Sequence, residues 1–255
     1  MGLPVAIDVR DTGVPAAALE AAFAWLRWVD ATFSTYRGDS EIARLNRGEL
    51  AAADADPRVR AVLRACRALR DRTAGAFDVE AAAQMTEVRD RPGAGAGRRG
   101  AVEPAGYVKG WALGGAWERL AAVGVRNAVL DAGGDVLVRG RAAPDRPWRV
   151  GIQHPLELDR VAAVLAPGDL AVATSGTYRR GDHIVDPHTG RPPRGLRSVS
   201  CAGADPATVD ALATAAFAMG TAGAAWLARQ PDVEAMVIDE RDRVQLTPGF
   251  DALRV

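Results

Sequence analysis

Between Val125 and Gly203 the chain lays down short apolar runs one after another, with no helical period between them. They are Val125 to Ala132, Val136 to Val138, Trp148 to Pro155, Val161 to Ala166, Leu170 to Ala173 and Arg197 to Gly203. Strands that follow each other this closely pair as antiparallel neighbours, because a parallel pair needs a long crossover, usually a helix. Regular βαβ units are therefore excluded. The pattern predicts an α+β fold of mostly antiparallel sheets with helices packed outside. At 255 residues and 48% apolar content, the chain has ample material for a core. It shows neither an internal repeat nor a clear linker, so residues 1–255 are expected to form one domain.

The helices come before and after that meander. Leu3, Val5, Ile7 and Val9 alternate as in a half-buried strand, and Pro15 then suits the first turn of a helix. Leu19, Phe23, Leu26, Val29 and Phe33 give that helix one apolar stripe. Asp39 or Ser40 can cap a short helix carrying Ile42 and Leu45, which leaves Ser34, Tyr36 and Asn46 as polar groups near its ends. Asp56-Pro57 opens a further helix whose buried stripe is Val59, Val62, Leu63, Cys66 and Leu69, and Gly75 should end it. Arg91 to Gly100 has no period and is expected to be a mobile loop; it lacks the spacing of a phosphate loop. Trp111, Leu113, Trp117, Leu120 and Val123 form a broad apolar helix face. A last helix starts near Asp205-Pro206, and Ala235 to Asp239 with Val244 to Leu246 reads as a closing hairpin.

Several polar clusters could carry chemistry, and each also has a structural reading. Thr174 to Pro192 (TSGTYRRGDHIVDPHTGRP) is dense in turn formers and is expected to be a loop. It is either a site containing a titratable imidazole or a solvated turn capped by Asp186. Lys109 lies at a helix start beside Gly106 and Gly110, which suits an anionic ligand, although most lysines are surface groups. Asp210 and Thr214 stand four apart on one helix face. They can offer two oxygens to one hard cation, or Thr214 can bond its own helix backbone while Asp210 is solvated. Phe77 and Asp78 read as a ligand platform or as a core residue and a cap. Gly133-Gly134 permits a close approach by a ligand or another backbone, or forms a hairpin turn.

Lys+Arg and Asp+Glu both number 32, so no net field draws nucleic acid or an anionic membrane. The first residues, MGLPVAIDVR, contain no long apolar run, and none occurs elsewhere, so neither a secretory signal nor a membrane span is expected. The chain reads as a cytoplasmic protein. Cys66 and Cys201 have no metal-type spacing and read as unpaired core thiols.

Taken in order, these segments resemble the FAD:protein FMN transferases, the ApbE-type flavin transferases. FSTYRGDSEIARLN resembles the family's serine-tyrosine segment, GAFDV its Gly-x-Phe-Asp turn, and AGYVKGWAL its Gly-Gly-Ile-Ala-Lys-Gly-Tyr-Ala-Val block. NAVLDAGGDVLVRG is similar to its strand with Gly-Gly-Asp, and ATSGTYRRGDHIVDPHTGRP to its Thr-Ser-Gly and His-x-x-Asp-Pro-x-Thr-Gly segment. SVSCAGADPATVDALATAAFAMG resembles its metal-bearing helix. The resemblance implies an ApbE-like fold. It also implies an activity that moves the FMN half of FAD, with Mg²⁺, onto a Thr or Ser of an acceptor flavoprotein and releases AMP. By resemblance, Asp210 and Thr214 match side-chain metal ligands, and Gly106 and Ala213 match positions lending main-chain oxygens. His183 matches the histidine acting near the pyrophosphate. Ser34, Tyr36, Asn46, Phe77, Asp78, Lys109, Asp135, Thr174 and Ser175 match flavin-pocket positions.

The chain departs from the family pattern at Gly114, where an Asp is usual, and at Val79, Glu80 and Ala81, where Pro-Thr-Val is usual. Its span from Asp78 to Lys109 is also shorter, as though a helix and a strand beyond the turn were missing. Hydrolysis of FAD to FMN and AMP, or flavin binding without catalysis, are the alternatives to transfer.

Overall fold

The computed structural model describes residues 3–83, 100–157, 159–166, 168–177 and 184–255. Residues 91–99 of the expected Gly/Arg loop lie outside this set, and so does His183. The strands are β1 (Val5–Val9), β2 (Ala128–Ala132), β3 (Asp135–Arg139), β4 (Arg141–Ala143), β5 (Arg146–Pro147), β6 (Val150–Gln153), β7 (Val161–Leu165), β8 (Leu170–Gly176), β9 (Leu196–Gly203), β10 (Val233–Asp239) and β11 (Val244–Leu246). The helices are α1 (Ala16–Phe33), α2 (Glu41–Arg47), α3 (Pro57–Arg72), α4 (Ala105–Ala121), α5 (Pro206–Ala218) and α6 (Gly223–Leu227). Residues 79–83 are also helical, so the chain turns helical directly after Asp78.

A seven-stranded sheet in the order β1-β2-β3-β8-β9-β10-β11 carries the fold, and each of its pairs is antiparallel. The expected mostly antiparallel α+β architecture is what forms. Side chains alternate across a strand, so this sheet has two apolar faces. Ala171 and Ala173 of β8, Val199 and Cys201 of β9, and Val233, Ala235 and Val237 of β10 join the core shared with α1, α3, α4 and α5. Leu170 and Val172, Ala202, and Met236 and Ile238 point the other way. There they pack against Val150 and Ile152 of β6, Ala163 and Leu165 of β7, and Phe250. The β4–β7 excursion therefore folds back over the face that the helices leave bare.

Local signals set the helix ends. Ser40 accepts from the Ala43 amide, Asp56 from that of Arg58, and Asp205 from that of Thr208, each satisfying a donor left free at a helix start. The buried stripe of α3 is the expected one, residue for residue. Gly133 and Gly134 have φ of 64° and 101°, the backbone of a tight hairpin, so the double glycine joins β2 to β3. Both cysteines are free and buried.

Two expectations are corrected. Thr174, Ser175 and Gly176 are not loop: they extend β8 and pair with Ser200, Val199 and Ser198. The ladder to β9 outweighs their turn-forming composition. Val123 is not on the buried face of α4; it is 51% exposed, because the helix has ended at Ala121.

α4 packs against both α1 and α5. Glycines make this possible. A Cβ on Gly115 would stand 2.5 Å from the Trp25 ring, and one on Gly110 would stand 2.5 Å from the Pro206 carbonyl carbon. Trp25 completes the α1 contact by donating its indole N–H to the Ala112 carbonyl at 2.9 Å. This tight crossing brings the start of α4 beside the middle of α5.

Candidate active site

A cavity of about 570 Å³ opens where β3 begins and β8 ends, within the usual size of small-molecule sites. It wraps around the strand ends and so touches both faces of the sheet. On the helix face it is lined by Gly106 and Lys109 of α4, Asp210 and Thr214 of α5, and Ser175. On the other it reaches Val172, Thr174 and the β6 residues Gly151, Ile152 and Gln153. Residues 33–36 at the end of α1, Phe77, Asp78, Ile184 and Val185 form further parts of the wall.

Its charged floor is Lys109, Asp135 and Asp210. The Lys109 Nζ lies 2.5 Å from Asp135 Oδ2 and 3.5 Å from Asp210 Oδ1. The Gly110 amide donates to Asp210 Oδ2 at 3.2 Å. Both aspartates are buried, at 4% and 3% exposure. Burial pushes the Asp210 carboxyl up to about 7, Lys109 pulls against this, and Asp135 adds to it. Burial also raises Asp135, opposed by Lys109 and by the Thr174 amide. With the carboxylates ionised, among the described residues two negative charges face the Lys109 ammonium in a medium of low dielectric, which favours a further cation.

The oxygens for such a cation are adjacent. Thr214 Oγ1 lies one helical turn from Asp210 and 3.3 Å from Ser175 Oγ. A Cβ on Gly106 would stand 3.2 Å from Thr214 Oγ1, so the glycine leaves that hydroxyl open to the cavity. Among the described residues, no three His, Cys, Asp or Glu side chains gather at one point. A cation at Asp210 would thus take carboxylate, hydroxyl and main-chain oxygens. That is a hard-oxygen set with few protein ligands, and it fits Mg²⁺, which keeps several waters and shares phosphate oxygens.

The ApbE family model matches residues 1–99 and 89–237. The chain belongs to the ApbE family. A curated relative from Rhodobacter capsulatus, named FAD:protein FMN transferase, is 42% identical over 156 residues, covering 57% of this chain and 29% of the relative. Another of that name, from Vibrio cholerae, is 31% identical over 151 residues, covering 55% and 45%. The matched region therefore spans less than half the length of these relatives. Among solved structures, the Vibrio cholerae flavin transferase ApbE superposes with a TM-score of 0.83 at 25% identity, covering 99% of this chain and 96% of that one. The ApbE protein of Thermotoga maritima gives 0.85 at 24% identity and covers 99% and 96%, a likeness of fold.

Within this ApbE fold, most of the residues singled out in the sequence meet at the cavity. Ser34, Tyr36, Phe77, Asp78, Gly106, Lys109, Asp135, Thr174, Ser175, Asp210 and Thr214 all line it. Their roles differ. Thr174 and Ser175 point to opposite faces, Thr174 bonding Ser200 Oγ at 2.9 Å and Ser175 meeting Thr214. Asp78 caps the following helical turn through the Glu80 amide at 2.8 Å and pairs with Arg70 at 3.1 Å. Ser34 accepts from the Tyr36 amide at 3.3 Å, and Tyr36, a lining residue, is 78% exposed. Asn46 and Ala213 do not line the cavity. Asn46 is instead clamped to the Val102 backbone, donating to its carbonyl at 3.0 Å and accepting from its amide at 2.8 Å. Asp210 is not a solvated surface group.

Other lining groups had escaped the sequence reading. Glu103 accepts from Thr35 Oγ1 at 2.7 Å and from the Ala105 amide at 3.2 Å, so it ties the segment after α1 to the start of α4. An acid just before a helix is a generic signal, and nothing in the spacing pointed to Thr35. The β6 wall was read only as a strand.

Proposed function

We propose that residues 1–255 act as one flavin transferase unit, moving the FMN half of FAD onto a Thr or Ser hydroxyl of an acceptor protein and releasing AMP. The observation that carries this reading is the meeting of Lys109, Asp210 and Thr214 on one side of a cavity in a chain of the ApbE family. Lys109, which lines the cavity, would turn a positive charge toward the pyrophosphate of FAD. The amide of Gly110 and the pairing of α4 with α5 hold Asp210 and Thr214 in place. Asp210 and Thr214 would hold Mg²⁺, with main-chain oxygens of Gly106 and Ala213 as further positions suggested by the family resemblance. When bound, the ion supplies charge neutralisation at the pyrophosphate.

In the step itself, the acceptor hydroxyl oxygen bonds to the phosphorus on the FMN side. The bond from that phosphorus to the bridging oxygen breaks, and AMP leaves with the bridging oxygen. The hydroxyl proton passes to a base, for which the family resemblance nominates His183. In-line placement of the hydroxyl depends on walls that exclude water, here Phe33, Phe77, Val150 and Ile152.

The test is to incubate the protein with FAD, Mg²⁺ and a Thr-containing acceptor protein, then to analyse it by HPLC and intact mass. Transfer gives an FMN adduct on Thr or Ser with matching AMP. Free FMN and AMP without an adduct would assign hydrolysis instead, and intact FAD would leave a binding protein.

A further inference from the structure

We propose that His188 is a positioning residue for FAD: its imidazole ties the turn after α3 to the segment 184–187 and so fixes the spacing of two walls of the cavity. This rests on the reading of the cavity as the FAD site.

The two segments are distant in sequence. Ala76, Phe77 and Asp78 line the cavity from the turn after α3, and Ile184, Val185 and Pro187 line it from the segment before β9. His188 follows directly on Pro187 and does not itself line the cavity. Its Nε2 lies 3.0 Å from the Ala74 carbonyl oxygen, two residues before Ala76, in a contact that spans 114 positions of the chain. Each anchor is thus within two residues of the wall it holds, which leaves little slack between the bond and the lining side chains.

Both ends are braced. Asp186 Oδ1 accepts from the His188 amide at 2.9 Å and meets Nδ1 at 3.1 Å, while Oδ2 accepts from Thr189 Oγ1 at 2.9 Å. On the other side Thr73 is buried, and its Oγ1 accepts from the Phe77 amide at 2.9 Å. Ala74 has a φ of 50°, which a residue other than glycine adopts at a cost and keeps where its surroundings fix it. Gly75 leaves the approach clear, since a Cβ there would stand 3.3 Å from Nε2. The His188 side chain is 60% exposed, so it adds little to the core, and its use lies in what it joins.

The charged groups facing the ring are Asp186 on its own turn and Asp78 on the other segment, the latter paired with Arg70 at 3.1 Å. An imidazolium can donate to Asp186 and Ala74 together, whereas the neutral ring has one N–H and keeps one of the two bonds. A glutamine amide can donate to Ala74 at any pH.

The experiment titrates FAD, followed by flavin fluorescence, into the full chain and into His188→Ala and His188→Gln. It is done on both sides of the ordinary imidazole value of 6.5, well below the melting transition, with folding checked by circular dichroism. We expect His188→Ala to weaken FAD about fivefold below that value and by less as pH rises above it. His188→Gln should bind more weakly than wild type at acid pH and approach it as pH rises. If wild type binds FAD and His188→Ala binds it equally at every pH, the proposal is overturned whatever happens to Tm, because a brace of the fold alone would lower Tm and spare affinity. A constant ratio between wild type and His188→Gln across the pH range would overturn it as well, even if His188→Ala failed to fold. Absence of FAD binding by wild type would bring down the reading of the cavity, and this inference with it.

Discussion

Gly110→Ala and Gly114→Ala make the same chemical change one turn apart on α4, and the structure expects opposite outcomes. At Gly110 the added Cβ would stand 2.5 Å from the Pro206 carbonyl carbon and 2.9 Å from Ala207 Cα. Carbon atoms pack best at about 3.5–4.0 Å, so the helices must part by about 1 Å. The obstacle is backbone and cannot rotate away. Overpacking of this kind costs about 3 kcal/mol, and the better helix propensity of alanine returns about 1 kcal/mol, for a net loss of about 2 kcal/mol. For a chain of this size that lowers Tm by about 4–8 °C. At Gly114 the new methyl would meet only Pro206 Cγ at 3.5 Å, an ordinary contact. There the propensity gain of about 1 kcal/mol should raise Tm by about 2–4 °C. Function should split in the same way. Parting α4 from α5 separates Lys109 and Gly106 from Asp210 and Thr214, and a misplacement of about 1 Å can cost about a hundredfold in rate. Thermal melts followed by circular dichroism, with AMP release measured on the same samples, provide the assay. If Gly110→Ala melts within about 1 °C of wild type, or if Gly114→Ala falls as far as Gly110→Ala, the account of this helix crossing is wrong.

Three further outcomes are expected. Glu103→Ala frees Thr35 and the start of α4, so FAD affinity, followed by flavin fluorescence, should weaken by about fivefold, the worth of roughly 1 kcal/mol; an unchanged affinity would make Glu103 a bystander. Burial pushes the Cys66 thiol up to about 12 and raises Cys201 as well, so neither should react with DTNB in the native state, while both should react in guanidinium. His188 lies 3.1 Å from an Asp186 carboxylate oxygen and 3.0 Å from the Ala74 carbonyl, both acceptors, so only the imidazolium can donate to both. Its pKa is accordingly raised, by Asp186 first and then by Ala74. The stability this adds is complete below the ordinary value of 6.5 and is lost as pH rises through the higher folded value. The Tm advantage of wild type over His188→Ala should therefore shrink as pH rises above the ordinary value of 6.5, modestly because the ring is exposed; a constant gap would contradict the assignment.

Much of the fold could be read directly from the chain, because its causes are local. The apolar period of α3 picked out Val59, Val62, Leu63, Cys66 and Leu69 before any contact was known. Asp56, Ser40 and Asp205 marked helix starts by the reach of a short side chain to amides two or three residues away. The double glycine placed a turn because two successive positive φ values are costly for other residues. Succession of strands without helices between them was enough for antiparallel pairing. Most of the residues that the motif resemblance named also line the cavity.

What required the tertiary structure was every relation between distant segments. Thr174 to Gly176 have the composition of a turn, yet they lie in a strand because β9 supplies hydrogen bonds that no local rule contains. Asn46 belongs by motif to the ligand pocket, but its amide group is taken up by the Val102 backbone. Glu103 and Thr35 meet only because α1 and α4 pack together. The sharing of Lys109 between Asp135 and Asp210 depends on a helix crossing close enough to require glycine, and on burial that makes each charge matter. Propensity, period and capping act over a few residues and are written along the chain. Distances between charges on α4, α5 and β3 arise from packing and loop closure, which depend on all the segments at once.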